Sequence, residues 1–267
     1  MSRPLFSCVV PVKGARPFIA DALSSLEEQG MGEELEVIVQ DGTTEYTEHT
    51  EIPEGLSVQW FREMDVGQSD ALNKGFAKAK GEWLFWLNAD DVLLPGALKK
   101  VLDRINKINR IEWIVGNQLL IDDVGKVLKC SVGNGWHDWL YRHAVPHVYG
   151  PSSFFRRELL ERVGGLDVSL KYCMDWDLWI KFMKVGAKFV RINDYLWAQR
   201  QWSGSKTQRA LSREEMVEHF AEVNRMCAKN GFRMTKGGVW LTRAVRLLEG
   251  CYLKEFVDGL KWKGKAV

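Results

Sequence analysis

The 267-residue chain predicts an open α/β fold built on a mostly parallel sheet with flanking helices. Three observations predict it. Apolar runs of strand length alternate with segments of helical period through the first hundred residues. Polar clusters close three of those runs, at Pro11 to Gly14, Gln40 to Glu45 and Asn88 to Asp91. The last sixty residues then change to helical periodicity without strand runs. Alternation of this kind belongs to open parallel sheets, whose ligands bind outside the carboxyl ends of the strands.

The elements follow in order. Residues 5–12 form a continuous apolar run with β-branched members, as a strand covered on both faces requires. Phe18, Ile19, Ala22, Leu23 and Leu26 recur at helical spacing up to Gly30. Residues 35–39 and 58–61 are further strands, the first ending in an Asp-Gly turn. A helix over residues 68–80 carries Ala71, Leu72, Gly75, Phe76 and Ala79 on one face; Gly81 stops it, and residues 83–87 are the fourth strand. After a helix over about 95–106, "WIVGNQLLIDDVGKVLKC" reads as a hairpin turning at Asp122 to Gly125. A tryptophan-rich stretch (Trp136, Trp139), a short helix ending at Gly164-Gly165, a helix burying Leu178, Trp179, Phe182 and Met183, and a strand over 188–192 complete this part.

Residues 208–267 form a separate helical region. Ser212 and Glu215 have capping-box spacing, and one further helix carries Trp240, Leu241, Ala244, Val245, Leu248, Cys251, Tyr252 and Phe256. Twelve Lys and Arg against seven Asp and Glu make this region +5, leaving −3 for the rest. Its mixed acids favour apolar stripes packed on the preceding domain with charges in water; a membrane surface and a second copy of the chain are the other destinations.

With 46% hydrophobic and 27% charged residues the chain is not disordered, and a net charge of +2 gives no case for nucleic acid as a partner. Five scattered cysteines without a CxxC pair suggest neither a disulfide framework nor a zinc site, and fit a reducing cytoplasm. The first apolar run is too short to span a membrane.

Adjacent acids at a strand end, Asp90 and Asp91, repel each other unless something positive joins them. A hard dication bound through Asp90, with phosphate and water completing its shell, answers that need; a loop or helix-start acid is the alternative. Asp70, Asn73 and Lys74 stand at i, i+3 and i+4 on one helix face, either around a ligand or as an ion pair. Asp41 before Gly42 is a turn acid or a ligand group.

"FSCVVPVKG", "LEVIVQDGTTE", "REMDVGQSDALNKGFAKAKGEWLFWLNADD" and "YCMDWDLWIKF" stand in the order and spacing of the family 2 (GT-A type) glycosyltransferases, and the chain resembles their bacterial subgroup over about residues 5–207. That resemblance implies a GT-A fold: a Rossmann-like nucleotide-binding half over about 1–110, a small mixed-β acceptor-binding half over about 111–207, and the C-terminal helices outside it. It implies transfer of a sugar from a nucleotide-sugar, most naturally a UDP-sugar, to a saccharide or lipid-linked saccharide hydroxyl with inversion. The setting it implies is cytoplasmic, or peripheral at the inner membrane face, in surface polysaccharide or glycolipid synthesis. Donor-binding residues carried over are Pro11, Lys13, Asp41, Asp65, Gly67, Asp70, Asn73, Lys74, Asn88 and Ala89. Asp90 would hold Mn2+ or Mg2+, and Asp175 would be the general base, with Asp177 its competitor, or else a structural or acceptor-binding group. The chain departs from the family at Gln40, at Met174, and at Trp202, which stands where many relatives place a metal-binding histidine; Lys206 in the same loop is a phosphate-binding candidate. His147 is a lone loop histidine. A nucleotidyltransferase and a non-catalytic nucleotide- or sugar-binding module are the alternatives, the first disfavoured because "PVKGARPF" is a poor triphosphate-gripping loop.

Overall fold

The computed structural model describes residues 3–14, 17–43, 51–135, 138–144, 147–205 and 213–267. Strand β1 (Phe6–Val12) lies between β2 (Leu35–Asp41) and β4 (Trp83–Trp86), and β3 (Ser57–Arg62) pairs with β2; all four run parallel. The apolar run of β1 has the cause anticipated for it, since both faces of the sheet are covered. Phe6, Cys8, Val10 and Val12 pack with Ile19, Leu23 and Leu26 of α1 (Ile19–Glu27) and with Ala97, Leu98 and Val101 of α3 (Ala97–Lys107). On the opposite face Val9, Ile38, Leu84 and Trp86 pack with Leu72 and Phe76 of α2 (Gln68–Lys78). Leu159 and Leu160 of α5 (Arg157–Val163) and Leu178, Trp179 and Phe182 of α6 (Met174–Lys184) complete that layer.

The sheet does not stop at β4. Among the described residues it continues through β8 (Ser153–Arg156), β6 (Trp113–Ile121) and β9 (Phe189–Arg200) to β5 (Val92–Leu93), and β7 (Val127–Ser131) pairs with the second half of β6, beyond β8. Strand β8 (Ser153–Arg156) runs antiparallel to both β4 and β6, and so joins the parallel half to the mixed half. The β6–β7 hairpin turns at Asp122 to Gly125 as its sequence predicts. Strand β9 (Phe189–Arg200) is longer than the 188–192 expected. Past register shifts opposite Asn117 it continues along β6, and its last residues also pair with the two-residue strand β5 (Val92–Leu93) beside the Asn88–Asp91 loop. That extension brings Arg200 to the site.

A buried carboxylate ties the strands together at the other end of the sheet. Glu36 Oε1 accepts hydrogen bonds from Ser7 Oγ (2.6 Å), Lys80 N (2.5 Å) and Gly81 N (3.1 Å). Gly81 is required by close approach: a Cβ there would stand 2.7 Å from Ser7 N and 2.8 Å from the Phe6 carbonyl carbon. Gly81→Ala therefore forces buried backbone apart, and we expect a loss of about 1–3 kcal/mol, read as a fall of roughly 3–10 °C in melting temperature.

Four further helices complete the described chain: α4 (Asp138–Tyr141), α7 (Arg213–Asn230), α8 (Lys236–Leu248) and α9 (Cys251–Trp262). The single long helix expected over residues 240–256 is two, broken where Gly250 takes a left-handed conformation (φ 69°). Helix α7 packs in the expected sense over its second half, setting Val223, Met226 and Cys227 against Cys173, Trp176 and Ile180, whereas Met216 and Phe220 of the expected stripe are exposed. Helices α8 and α9 do not. Their inward residues include Thr242, Arg246 and Asp258, and their apolar stripes face water, the reverse of the packing expected for them. The inward polar groups find partners there: Arg246 donates to the Val132 carbonyl, and Glu255 and Asp258 accept from Val132 N and Tyr195 OH. Ser212 and Trp136 lie outside the described residues.

Candidate active site

A cavity of about 660 Å³ opens at the carboxyl ends of β1 and β4. Its walls include Pro11 and Lys13 at the end of β1, Asp65 and Gln68 at the start of α2, Asn88 to Asp91 after β4, Asp175 of α6, and Arg200 and Trp202 at the end of β9. Parallel strands place it there, because all their carboxyl ends point the same way.

The two adjacent acids part company. Asp91 is buried and fastens β9: its Oδ1 accepts from Arg200 N (2.9 Å) and its Oδ2 from Asn88 Nδ2 (2.8 Å). Burial, and after it the neighbouring Asp90 charge, push the Asp91 carboxyl well above the usual carboxylate range. Asp90 instead faces the cavity, and its Oδ2 accepts the indole N–H of Trp202 at 2.9 Å. Trp202 is braced edge-on by Phe18, ring centroids 5.4 Å apart. An indole nitrogen cannot ligate a metal, so Trp202 supplies no ligand where a histidine could. Among the described residues no three His, Cys, Asp or Glu side chains form a metal-binding group. Asp90 alone nonetheless suits a hard dication of the Mg2+ or Mn2+ type, which is commonly held by one or two carboxylates and fills its remaining positions with substrate phosphate and water.

Arg200 had no sequence signal beyond its place in a polar loop, and it locks this corner. Its guanidinium donates to the Asp90 carbonyl (3.0 Å), the Asp123 carbonyl (3.0 Å) and Asp21 Oδ2 (2.8 Å), and lies 4.4 Å over the Phe18 ring. Asn88 is similarly committed, accepting from Gln68 Nε2 (2.9 Å) while donating to Asp91. It shapes the wall and is no loose oxygen.

The other expected donor residues separate into two groups. Pro11, Lys13, Asp65, Asn88 and Ala89 line the cavity. Lys13 Nζ approaches Asp65 Oδ1 at 3.3 Å, and that oxygen also accepts from Gly67 N (3.0 Å). Asp41, Gly67, Asp70, Asn73 and Lys74 are not on the wall. Asp41 is fully buried, its carboxylate accepting from Thr43 N (2.9 Å) and Trp60 Nε1 (3.2 Å). Asp70 accepts from Val66 N and pairs with Lys74 at 2.8 Å, and Lys74 also donates to the Met64 carbonyl. The Lys74 ammonium holds the Asp70 carboxyl below its usual range. The pair is the helical ion pair of the alternative reading, turned to brace the loop that carries Asp65. Asn73 exchanges two hydrogen bonds with the backbone of Leu166, both 2.9 Å, and so pins α2 to the segment before α6.

Asp175 and Asp177 also diverge. Asp175 sits in the first turn of α6 on the cavity wall, its Oδ1 accepting from Trp176 N at 2.8 Å. A Cβ at residue 150 would lie 3.5 Å from Asp175 Oδ2 and 2.7 Å from the Trp86 ring, so only Gly150 leaves this approach open. Behind it Trp86, Trp179 and Trp113 stack at 5.9 and 4.9 Å, a rigid backing for the wall. Asp177 is buried and points away, paired with Lys181 (2.9 Å) and Asn230 of α7 (3.0 Å). Its carboxylate holds α7, which is the structural one of the roles expected for it. Unanticipated at the cavity rim are Lys171, Tyr172 and His219, the last contributed by α7. His147 is not on the wall; burial, with Arg246 and Lys129 nearby, lowers its pKa to about 4 and keeps it neutral. Lys206 lies outside the described residues.

The chain is similar in sequence and in fold to known glycosyltransferases. The sequence profile of "Glycosyl transferase family 2" matches residues 7–164. An uncharacterized glycosyltransferase of Rickettsia prowazekii is 26% identical over 265 residues, covering 95% of this chain and 83% of that protein. The crystal structure of S. aureus TarS 1-349 in complex with UDP-GlcNAc superposes with a TM-score of 0.62 at 19% identity, over 84% of this chain and 66% of that one. Mannosyltransferase PcManGT from Pyrobaculum calidifontis, in complex with GDP-Man and Mn2+, gives a TM-score of 0.55 at 20% identity, over 84% and 65%. The chain thus spans about two thirds of the length of these two solved chains, and at such identities they share its fold.

Proposed function

The chain belongs to glycosyl transferase family 2, and from that premise we propose that it is an inverting glycosyltransferase moving a sugar from a UDP-sugar to a saccharide or lipid-linked saccharide hydroxyl. The observation that carries this reading is the pairing, in one cavity, of a strand-end carboxylate, Asp90, with a separate carboxylate at a helix start, Asp175. Inversion needs attack opposite the departing diphosphate, and the attacking hydroxyl must lose its proton as it bonds.

In this reading Pro11, Lys13, Asp65 and Ala89 seat the nucleotide. Asp175 takes the acceptor's proton, its orientation set by the bond from Trp176 N. Mn2+ or Mg2+ held by Asp90 would supply positive charge to the leaving diphosphate. Asn88 and Arg200 fasten the loop that carries Asp90, through Asp91 and the Asp90 carbonyl, and so help position the carboxylate. Residues 1–110 serve as the donor half and 111–207 as the acceptor half, working at the cytoplasmic face of a membrane in surface polysaccharide or glycolipid synthesis. TarS bound to UDP-GlcNAc supports a uridine donor, and the Mn2+ of PcManGT supports the cation.

The bond between Trp202 and Asp90 favours one second reading, a binding module without turnover, since it occupies an oxygen the cation would use. A panel of UDP-sugars decides. Slow release of UDP that depends on added Mn2+ or Mg2+ is expected; nucleotide binding without release on any acceptor points to the module, and turnover that requires pyrophosphate points to a nucleotidyltransferase.

A further inference from the structure

Helices α8 and α9 are amphipathic, and they are seated with the polar side inward. On α8 the buried positions are Gly238, Thr242 and Arg246, four residues apart. On the other side Trp240, Leu241, Leu247 and Leu248 are exposed, Trp240 by 68% and Leu248 by 86%. On α9 Cys251 and Asp258 are buried, whereas Leu253, Phe256 and Leu260, at i, i+3 and i+7, stand in water, Leu260 by 74%. A helix folded onto a water-soluble domain ordinarily buries its stripe. Two consecutive helices doing the opposite leave a run of large apolar side chains that marks an interaction surface, not scattered exposure.

Charge is sorted across the same pair. All three acids turn toward the domain. Glu249 accepts from Gly135 N (2.8 Å), Glu255 from Val132 N (2.8 Å) and Arg246 (2.7 Å), and Asp258 from Tyr195 OH (3.0 Å) and Lys254 (2.7 Å). Lys236, Arg243, Lys261, Lys263 and Lys265 are exposed, and Arg243 lies 5.0 Å over the Trp240 ring. The outer surface is therefore apolar and aromatic with a basic border, while its acids are spent inside.

We propose that the outer face of α8 and α9 docks on an anionic lipid surface, the apolar side chains entering the boundary between headgroups and acyl chains and the lysines and arginines meeting lipid phosphates. Charge selects this occupant over a second copy. A twofold contact through this face would bring two basic borders together, whereas an anionic bilayer offers the opposite sign. No helix among the described residues is long and apolar enough to cross a membrane, so the contact is one of lying on the surface. The inference stands apart from the sugar chemistry, and its test needs no turnover.

Co-sedimentation of the full chain with vesicles provides that test. Recovery with phosphatidylcholine–phosphatidylglycerol vesicles should exceed that with phosphatidylcholine alone by at least about tenfold, and should weaken with salt. The L248E/F256E/L260E variant, altered only at exposed positions, should keep the wild-type melting transition and stay in the supernatant. The K261E/K263E variant should lose the preference for phosphatidylglycerol. Wild-type protein remaining in the supernatant with both vesicles overturns the proposal. So does a homodimer that the triple variant splits, without vesicle binding by the wild type.

Discussion

Asp175→Asn should lower turnover by about 10²–10⁴-fold, the usual contribution of a positioned general base, while nucleotide affinity stays at the wild-type level. Asparagine keeps the shape of the side chain and an Oδ1 to accept the Trp176 N–H, so the first turn of α6 and the wall around Gly150 are preserved. What it loses is the capacity to take a proton. Steady-state rates with donor and acceptor, beside nucleotide titration, separate the two effects. A variant with wild-type turnover moves the base elsewhere, and a variant that no longer binds nucleotide gives Asp175 a donor-side role. The parallel substitution Asp177→Asn should act on stability first, because that carboxylate serves Lys181 and Asn230.

Asp90→Ala carries the second large effect. A ligand at a hundred times its dissociation constant stabilises a folded protein by about 2.7 kcal/mol, or roughly 5–10 °C in a chain of this size. UDP with Mn2+ should raise the wild-type melting temperature by that order, and the variant should show only the smaller shift of nucleotide alone. The protein should still fold, since the Asp90 side chain bonds Trp202 at the cavity wall and holds no buried backbone group. Asp91→Ala is the contrasting control. It strips the partner from Arg200 N at the end of β9 and lowers stability whether or not ligand is present.

Much of this was legible in the sequence because the physics is local. The run in β1 announces a strand covered on both sides, and the polar clusters that end β1, β2 and β4 mark where parallel strands deliver a ligand. Asp90 was visible for that reason, at a strand end, whereas Asp175 was singled out from Asp177 only by the family resemblance. Long-range geometry was not legible. The i, i+3, i+4 pattern puts Asp70, Asn73 and Lys74 on one face, but only the fold shows that face turned to Met64 and Leu166 instead of to the cavity. Asp175 and Asp177 are two residues apart on one helix, hence on different faces, and nothing nearby says which face meets the pocket. Arg200 reaches the site because β9 runs on past the expected strand, paired with β6 and β5. Helices α8 and α9 show the same limit most plainly. Periodicity reveals that a helix has two faces and leaves open which one the domain takes, and here Val132, Gly135 and Tyr195 offered polar partners to the polar side.

Crystals grown with UDP and Mn2+, read by anomalous scattering from manganese, test the central claim most directly. The account predicts one manganese peak within bonding distance of an Asp90 carboxylate oxygen and of the UDP diphosphate, in the cavity that Asp175 lines. Manganese absent from Asp90, with UDP seated outside that cavity, would contradict it.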